Sequence, residues 1–172
     1  MAVKDFTDEA LTKGQIVALV SLDVKGAFDA AWRSAFLKAM KRLHCPKNLY
    51  NLTKNYFSEK LAFISTKSMR IDTTVNKGCP QVPCCGQGYW NSQYNSLLYL
   101  NFVKWTKSIA FADYLLIVVK AATVAEVQNF TNMEMSKITI CSKENKVHFK
   151  DRKSKAMLIS RRRKERKQWI YT

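Results

Sequence analysis

The sequence predicts an α+β fold, and three observations carry that prediction. Gln15 to Val24 is a nearly continuous apolar run rich in branched residues, which reads as a buried strand. Ser108 to Ala112 and Leu115 to Val119 are short strand-like runs too close together for anything but a tight hairpin. Apolar residues at helical spacing lie between and after these runs, so helices and strands are interleaved around one sheet. At 172 residues the chain can bury one sizeable core, and one domain over 1–160 with a basic tail over 161–172 is expected.

Taken in order, the first strand carries Asp23 near its C-terminal end and breaks at Gly26. Trp32, Phe36, Leu37, Met40 and Leu43 then recur at helical spacing until Cys45-Pro46 ends the helix. A second helix is expected from Lys47 to about Tyr56, and Leu61 to Val75 gives a hairpin signal that leads into Gly78. Beyond the Gly and Pro cluster, Tyr94, Leu97, Leu98 and Leu100 predict a core-facing helix over Trp90 to Phe102. Asp113-Tyr114 is the expected turn of the following hairpin. Thr123 and Glu126 form a capping-box pattern, opening a helix with Val127, Phe130 and Ile138 on one face and an end near Ser142. Val147 to Phe149 and Ala156 to Ile159 read as a final pair of strands, followed by the charged run Arg161 to Lys167. This order can place Asp23 beside the Asp113 turn at one sheet edge.

Charge and composition narrow the class of partner. A net charge of +16 must be neutralised by something, and nucleic acid is the first candidate. An anionic membrane surface competes, but no apolar run reaches the roughly 18 to 20 residues needed to span a bilayer. Met1 to Asp8 has no signal-peptide core, so an intracellular location, nucleus or cytoplasm, is expected. The five cysteines are an odd set without a paired Cys-x-x-Cys partner, which argues against a disulfide framework and against structural zinc at Cys79, Cys84 and Cys85.

The chemistry-bearing residues are Asp23 and Asp113, each a carboxylate between apolar neighbours at a strand end. Nucleotidyl transfer by divalent ions needs carboxylates that bridge the metals, and hard oxygen ligands suit Mg²⁺. The plain alternative is that both aspartates cap turns.

Ser21 to Trp32 (SLDVKGAFDAAW) resembles motif A of reverse transcriptases. Asn76 to Gln81 (NKGCPQ), continuing through Gly86, Trp90, Asn91 and Tyr94 to Leu98, resembles motif B. Ala110 to Asp113 (AFAD) resembles motif C, and Lys153 to Leu158 (KSKAML) resembles motif D. The likeness runs from about Gly14 to Tyr171 and is to LINE-type non-LTR retrotransposons of arthropods, particularly those inserting into ribosomal DNA or telomeric repeats. It implies a polymerase palm, a ferredoxin-like antiparallel sheet with helices on one face, with part of the fingers and no complete thumb. It also implies an RNA-directed DNA polymerase, a nucleotidyltransferase using Mg²⁺ or Mn²⁺ if active, acting on an RNA template, a DNA primer or target and dNTPs.

Residue by residue, the resemblance makes Asp23 and Asp113 the metal ligands and Phe28 the aromatic gate that stacks on the sugar. Gln81 would lie near the template and incoming nucleotide, Gly78 in the loop before it, and Lys153 would protonate the pyrophosphate. Read from the residues alone, Phe28 is first a core aromatic, and Lys153 is as readily one solvated lysine among many. Three departures bear on activity. Motif C normally ends in two aspartates, and the second is Tyr114 here; a phenol, with a pKa of about 10, supplies an ionised oxygen less readily than a carboxylate. Val82-Pro83 stands where motif B continues Gly-Ser. The chain also begins almost at motif A, as a decayed or partial element copy would. The basic run could follow a phosphate backbone, act as a nuclear import signal or be a solvated segment; twelve Lys or Arg lie between Lys143 and Lys167. The expectation is a reverse-transcriptase palm with impaired catalysis. The alternatives are a non-catalytic basic nucleic-acid-binding module and a non-functional transposon remnant.

Overall fold

The computed structural model describes residues 3–79 and 86–161, and the backbone of 168–169. Two compact units form within the chain. The first comprises residues 1–25, 97–144 and 148–172, the second 26–96 and 145–147.

The first unit is built around β1 (Ile16–Asp23), whose apolar run makes it the central strand of a five-stranded antiparallel sheet. β4 (Thr106–Phe111) and β5 (Tyr114–Ala121) form the expected hairpin, and β5 lies along β1 from Ile16↔Ala121 to Asp23↔Tyr114. β6 (Lys155–Ile159) pairs with the other edge of β1, and β7 (Gln168–Trp169) pairs with β6. The strand order β4-β5-β1-β6-β7 thus contains the ferredoxin-like arrangement in β4, β5, β1 and β6, with β1 between β5 and β6. Asp23 therefore stands at the end of the central strand, not on an edge strand.

Period-two alternation decides what each face buries. Val17 and Val118 pack with Phe6 and Ala10 of α1 (Val3–Thr12), while Ala18, Val20, Leu115, Ile117 and Val119 are buried as well. Both faces of β1 are covered, which is why its sequence is continuously apolar rather than alternating. Burying Ile16, Val17, Val20, Ile117 and Val118 contributes on the order of 2 kcal/mol per side chain. α5 (Val124–Asn145) opens on the expected capping box: Glu126 N–H donates to Thr123 Oγ1 at 3.2 Å and Thr123 N–H donates to Glu126 Oε2 at 3.1 Å.

The second unit holds α2 (Arg33–Arg42), α3 (Lys47–Phe57), the hairpin β2 (Leu61–Ser65) and β3 (Arg70–Thr74), and α4 (Gly86–Leu98). Its core is aromatic. Phe36, Phe57 and Tyr89 meet with ring centroids 4.8 to 5.2 Å apart, and Trp90 stacks on Tyr94 at 5.2 Å.

Three expectations need correction. The β4–β5 turn is Ala112-Asp113, because Phe111 and Tyr114 pair across it, and Ala112 takes a φ of +53° as tight hairpin turns require. α4 stops at Leu98: Phe102 N–H donates to the Leu100 carbonyl two residues back at 2.9 Å, a γ-turn no helix contains. Val147 to Phe149 forms a single bridge, Val24↔Phe149, instead of a strand. The basic run at 162–167 and Gln81 lie outside the described residues.

Candidate functional site

Asp23 is the last residue of β1, and three backbone hydrogen bonds fix the chain around it. Val24 N–H donates to the Asp113 carbonyl at 3.0 Å, Lys150 N–H to the Asp23 carbonyl at 2.7 Å, and Lys25 N–H to the His148 carbonyl at 2.7 Å. The hairpin turn and the 148–150 segment thus clamp the end of the central strand from either side. Asp113 is half-buried at this turn, and Tyr114, 44% exposed, is the register partner of Asp23. The structure brings both predicted carboxylate residues to one end of the sheet.

The Asp23 side chain is 1% exposed, so its carboxylate needs compensation. Two lysines supply it. Lys150 Nζ donates to Oδ1 at 3.2 Å, and Lys153 Nζ lies 3.6 Å from Oδ2. Oδ2 itself has no hydrogen-bond partner among the described residues. Lys153 projects from a single 3-10 turn, Asp151–Lys153, whose start is held by Lys150: the Lys150 carbonyl accepts from Lys153 N at 3.1 Å and from Ser154 N at 2.9 Å.

The other predicted site residues described by the structure fall in the second unit. Gly78, with a φ of +88°, donates its N–H to the Ala31 carbonyl at 2.8 Å, and Cys79 N–H donates to the Phe28 carbonyl at 2.9 Å. The motif B loop is therefore laced to the turn that follows motif A. The half-buried Phe28 ring leans on Trp90, centroids 6.3 Å apart, the contact expected of a packed aromatic.

Sequence reading missed the residue that organises this unit. The guanidinium of Arg33 donates to the carbonyls of Phe57 at 3.1 Å, Gly78 at 3.3 Å and Lys77 at 3.4 Å, and also to that of Val75, while lying 5.3 Å over the Phe57 ring. Burial pushes its pKa down from the ordinary arginine value, and the fan of carbonyl acceptors satisfies the guanidinium's donors. Arg33 also lines a cavity of about 480 Å³ with Asp29, Tyr56, Lys60 and Lys77. Lys150 was missed as well; neither residue stands out among 29 cations until the fold sets it on its partners.

Among the described residues, no three His, Cys, Asp or Glu side chains gather as a ready-made metal cluster. Mg²⁺, however, commonly takes one or two carboxylates and completes its shell with water and substrate phosphates. A buried carboxylate with one oxygen free of hydrogen bonds, and a second aspartate on the adjoining turn, fit that cation in donor type.

No protein-family model matches the sequence. The 115 kDa protein in the type-1 retrotransposable element R1DM of Drosophila melanogaster is 32% identical over 106 residues, which is 62% of this chain and 10% of that protein. Among solved structures, apo telomerase from Candida tropicalis truncated from its C-terminal domain superposes with a TM-score of 0.61 at 9% identity, covering 91% of this chain and 34% of that one. Telomerase from Candida albicans in complex with a fragment of telomeric RNA gives 0.49 at 10% identity, over 92% and 29%. This chain therefore spans about a tenth of its sequence relative and about a third of the first telomerase. The chain is thus similar in sequence to part of a retrotransposable-element protein and in fold to part of a telomerase.

Proposed function

We propose that this chain is the palm of an RNA-directed DNA polymerase, transferring nucleotides from dNTPs to a DNA primer on an RNA template, with catalysis weakened at the motif C turn. The observation that carries the reading is the pairing of the buried Asp23 with the Ala112-Asp113 turn at the end of the central strand. Asp23 and Asp113 would hold Mg²⁺ or Mn²⁺. When bound, the ion lowers the pKa of the attacking hydroxyl and stabilises charge on the leaving pyrophosphate. Lys153, 62% exposed beside Asp23, would serve the leaving group as general acid. Phe28 would gate the sugar, with Gly78 and Gln81 shaping the loop near the template and nucleotide. Tyr114 brings a ring and a hydroxyl where a second carboxylate would add negative charge, so metal affinity falls.

Primer extension on an oligonucleotide-primed RNA template, with Mg²⁺ and with Mn²⁺, tests this. The expected result is faint extension by the wild type, stronger with Mn²⁺, abolished in Asp23→Ala and raised about tenfold or more in Tyr114→Asp, the range a catalytic carboxylate commands. Robust wild-type extension that survives Asp23→Ala would overturn the assignment. A second reading, non-catalytic binding of nucleic acid in the nucleus or cytoplasm, is favoured by one observation: both oxygens of Asp23 already face ammonium groups. Salt-dependent RNA binding with no synthesis by any variant selects it.

A further inference from the structure

We propose that Lys150 is a built-in competitor for the divalent cation at Asp23, so that metal binding requires its ammonium to swing away. The proposal rests on the reading of Asp23 as a metal ligand and adds a residue that regulates it. Lys150 is fixed at its backbone, not merely nearby. Its N–H donates to the Asp23 carbonyl at 2.7 Å, and its own carbonyl accepts from Ser154 Oγ and Ser154 N, each at 2.9 Å. The four-carbon stem therefore starts from a defined point and delivers Nζ to Oδ1 at 3.2 Å. The side chain remains 32% exposed, which leaves the ammonium a path into solvent.

The electrostatics follow from what surrounds the carboxylate. Asp23 is fully buried and would be costly to leave ionised and alone. Lys150 at one oxygen and Lys153 at the other neutralise it, and Tyr114 in the register position adds no negative charge to draw a second cation. A divalent ion taking up the free Oδ2 would find an ammonium 3.2 Å from the other oxygen of the same carboxylate, in a setting where water screens poorly. Ion and ammonium exclude one another, whereas the freer Lys153 can turn aside at small cost. This chain thus stores its site in a self-neutralised state, and Lys150 sets the metal concentration at which that state gives way.

The test measures Mn²⁺ binding from the loss of the free-ion electron paramagnetic resonance signal, together with thermal melting with and without Mn²⁺. It compares the wild type with Lys150→Met, Asp23→Asn and the double variant. Lys150→Met is expected to bind Mn²⁺ about tenfold more tightly, to melt lower than the wild type without metal, and to recover when Mn²⁺ is added. The double variant, which removes both charges together, is expected to fold and to show neither the binding nor the recovery. Asp23-dependent binding of equal strength in the wild type and Lys150→Met would overturn the role of Lys150 and leave the metal reading standing. Mn²⁺ binding that ignores Asp23→Asn, or no binding by any variant, would overturn both.

Discussion

At Gly78 a Cβ would sit 3.1 Å from the Asp29 carbonyl oxygen and 3.4 Å from that of Phe28, on a backbone whose φ of +88° side chains avoid. The neighbours are main-chain atoms of the turn after motif A and cannot rotate away. Gly78→Ala should therefore cost about 1–3 kcal/mol. Gly88 sits inside α4 with nothing within 4 Å of its would-be Cβ, and Gly88→Ala should instead gain up to about 1 kcal/mol from helix propensity. Urea titrations of the two variants, followed by tryptophan fluorescence, would read both signs. A Gly78→Ala midpoint at or above that of the wild type would mean that the close approach does not constrain the loop. The same scale shows how sequence speaks about a site. Gly78, Asp23 and Asp113 were legible because each stands in a motif with fixed neighbours. Lys150 was not, since the ion pair it makes spans 127 positions and only β1 and the 3-10 turn bring it to Asp23.

Elements were legible where local signals agreed with burial. β1 could be read from its apolar run, α5 from its capping box, and β4–β5 from the shortness of the gap between two strands. α1 was missed although Val3, Phe6, Ala10 and Leu11 fall at helical spacing: ten residues make a helix too short to be stable by itself, and its burial depends on the sheet beneath. The exposed hairpin β2–β3 illustrates the opposite dependence. Its residues are exposed along both strands, and a two-stranded ribbon is marginal by itself. Arg33 supplies an anchor, tying α2 to the last residue of α3 and to Val75, directly after β3. Arg33→Lys should be poorly tolerated although the charge is kept, because an ammonium has three donors on a flexible stem and cannot serve four carbonyls in a planar fan. A loss of about 2 kcal/mol is expected from the unsatisfied acceptors. Hydrogen exchange should show it as faster exchange at Ile64 and Ile71 of the hairpin with β1 amides unchanged. Unchanged protection at both strands would mean that the hairpin is held without the guanidinium.

At the scale of the whole molecule, charge is the property no single motif explains. Twenty-nine basic residues face thirteen acidic ones, and of the latter Asp23 is already neutralised by lysines. No helix among the described residues is long and apolar enough to cross a membrane. A surface with this surplus binds a polyanion by releasing its condensed counterions, and the affinity then falls steeply with salt. For a single-stranded RNA contacting five to eight phosphates, the slope of log K against log salt should be on the order of −4 to −6. Because Lys150 is committed to Asp23, replacing both in Lys150→Met/Asp23→Asn should leave that slope and the affinity unchanged, even though it removes the proposed metal site. Fluorescence anisotropy of a labelled RNA across a salt series, with EDTA and then with Mg²⁺, would measure this. Parallel lines for the wild type and the double variant would assign RNA binding to the general basic surface, independent of the carboxylate end of the sheet. A slope near zero, or binding that vanishes with EDTA, would show instead that the nucleic acid is held through metal, and that the surplus charge serves another partner.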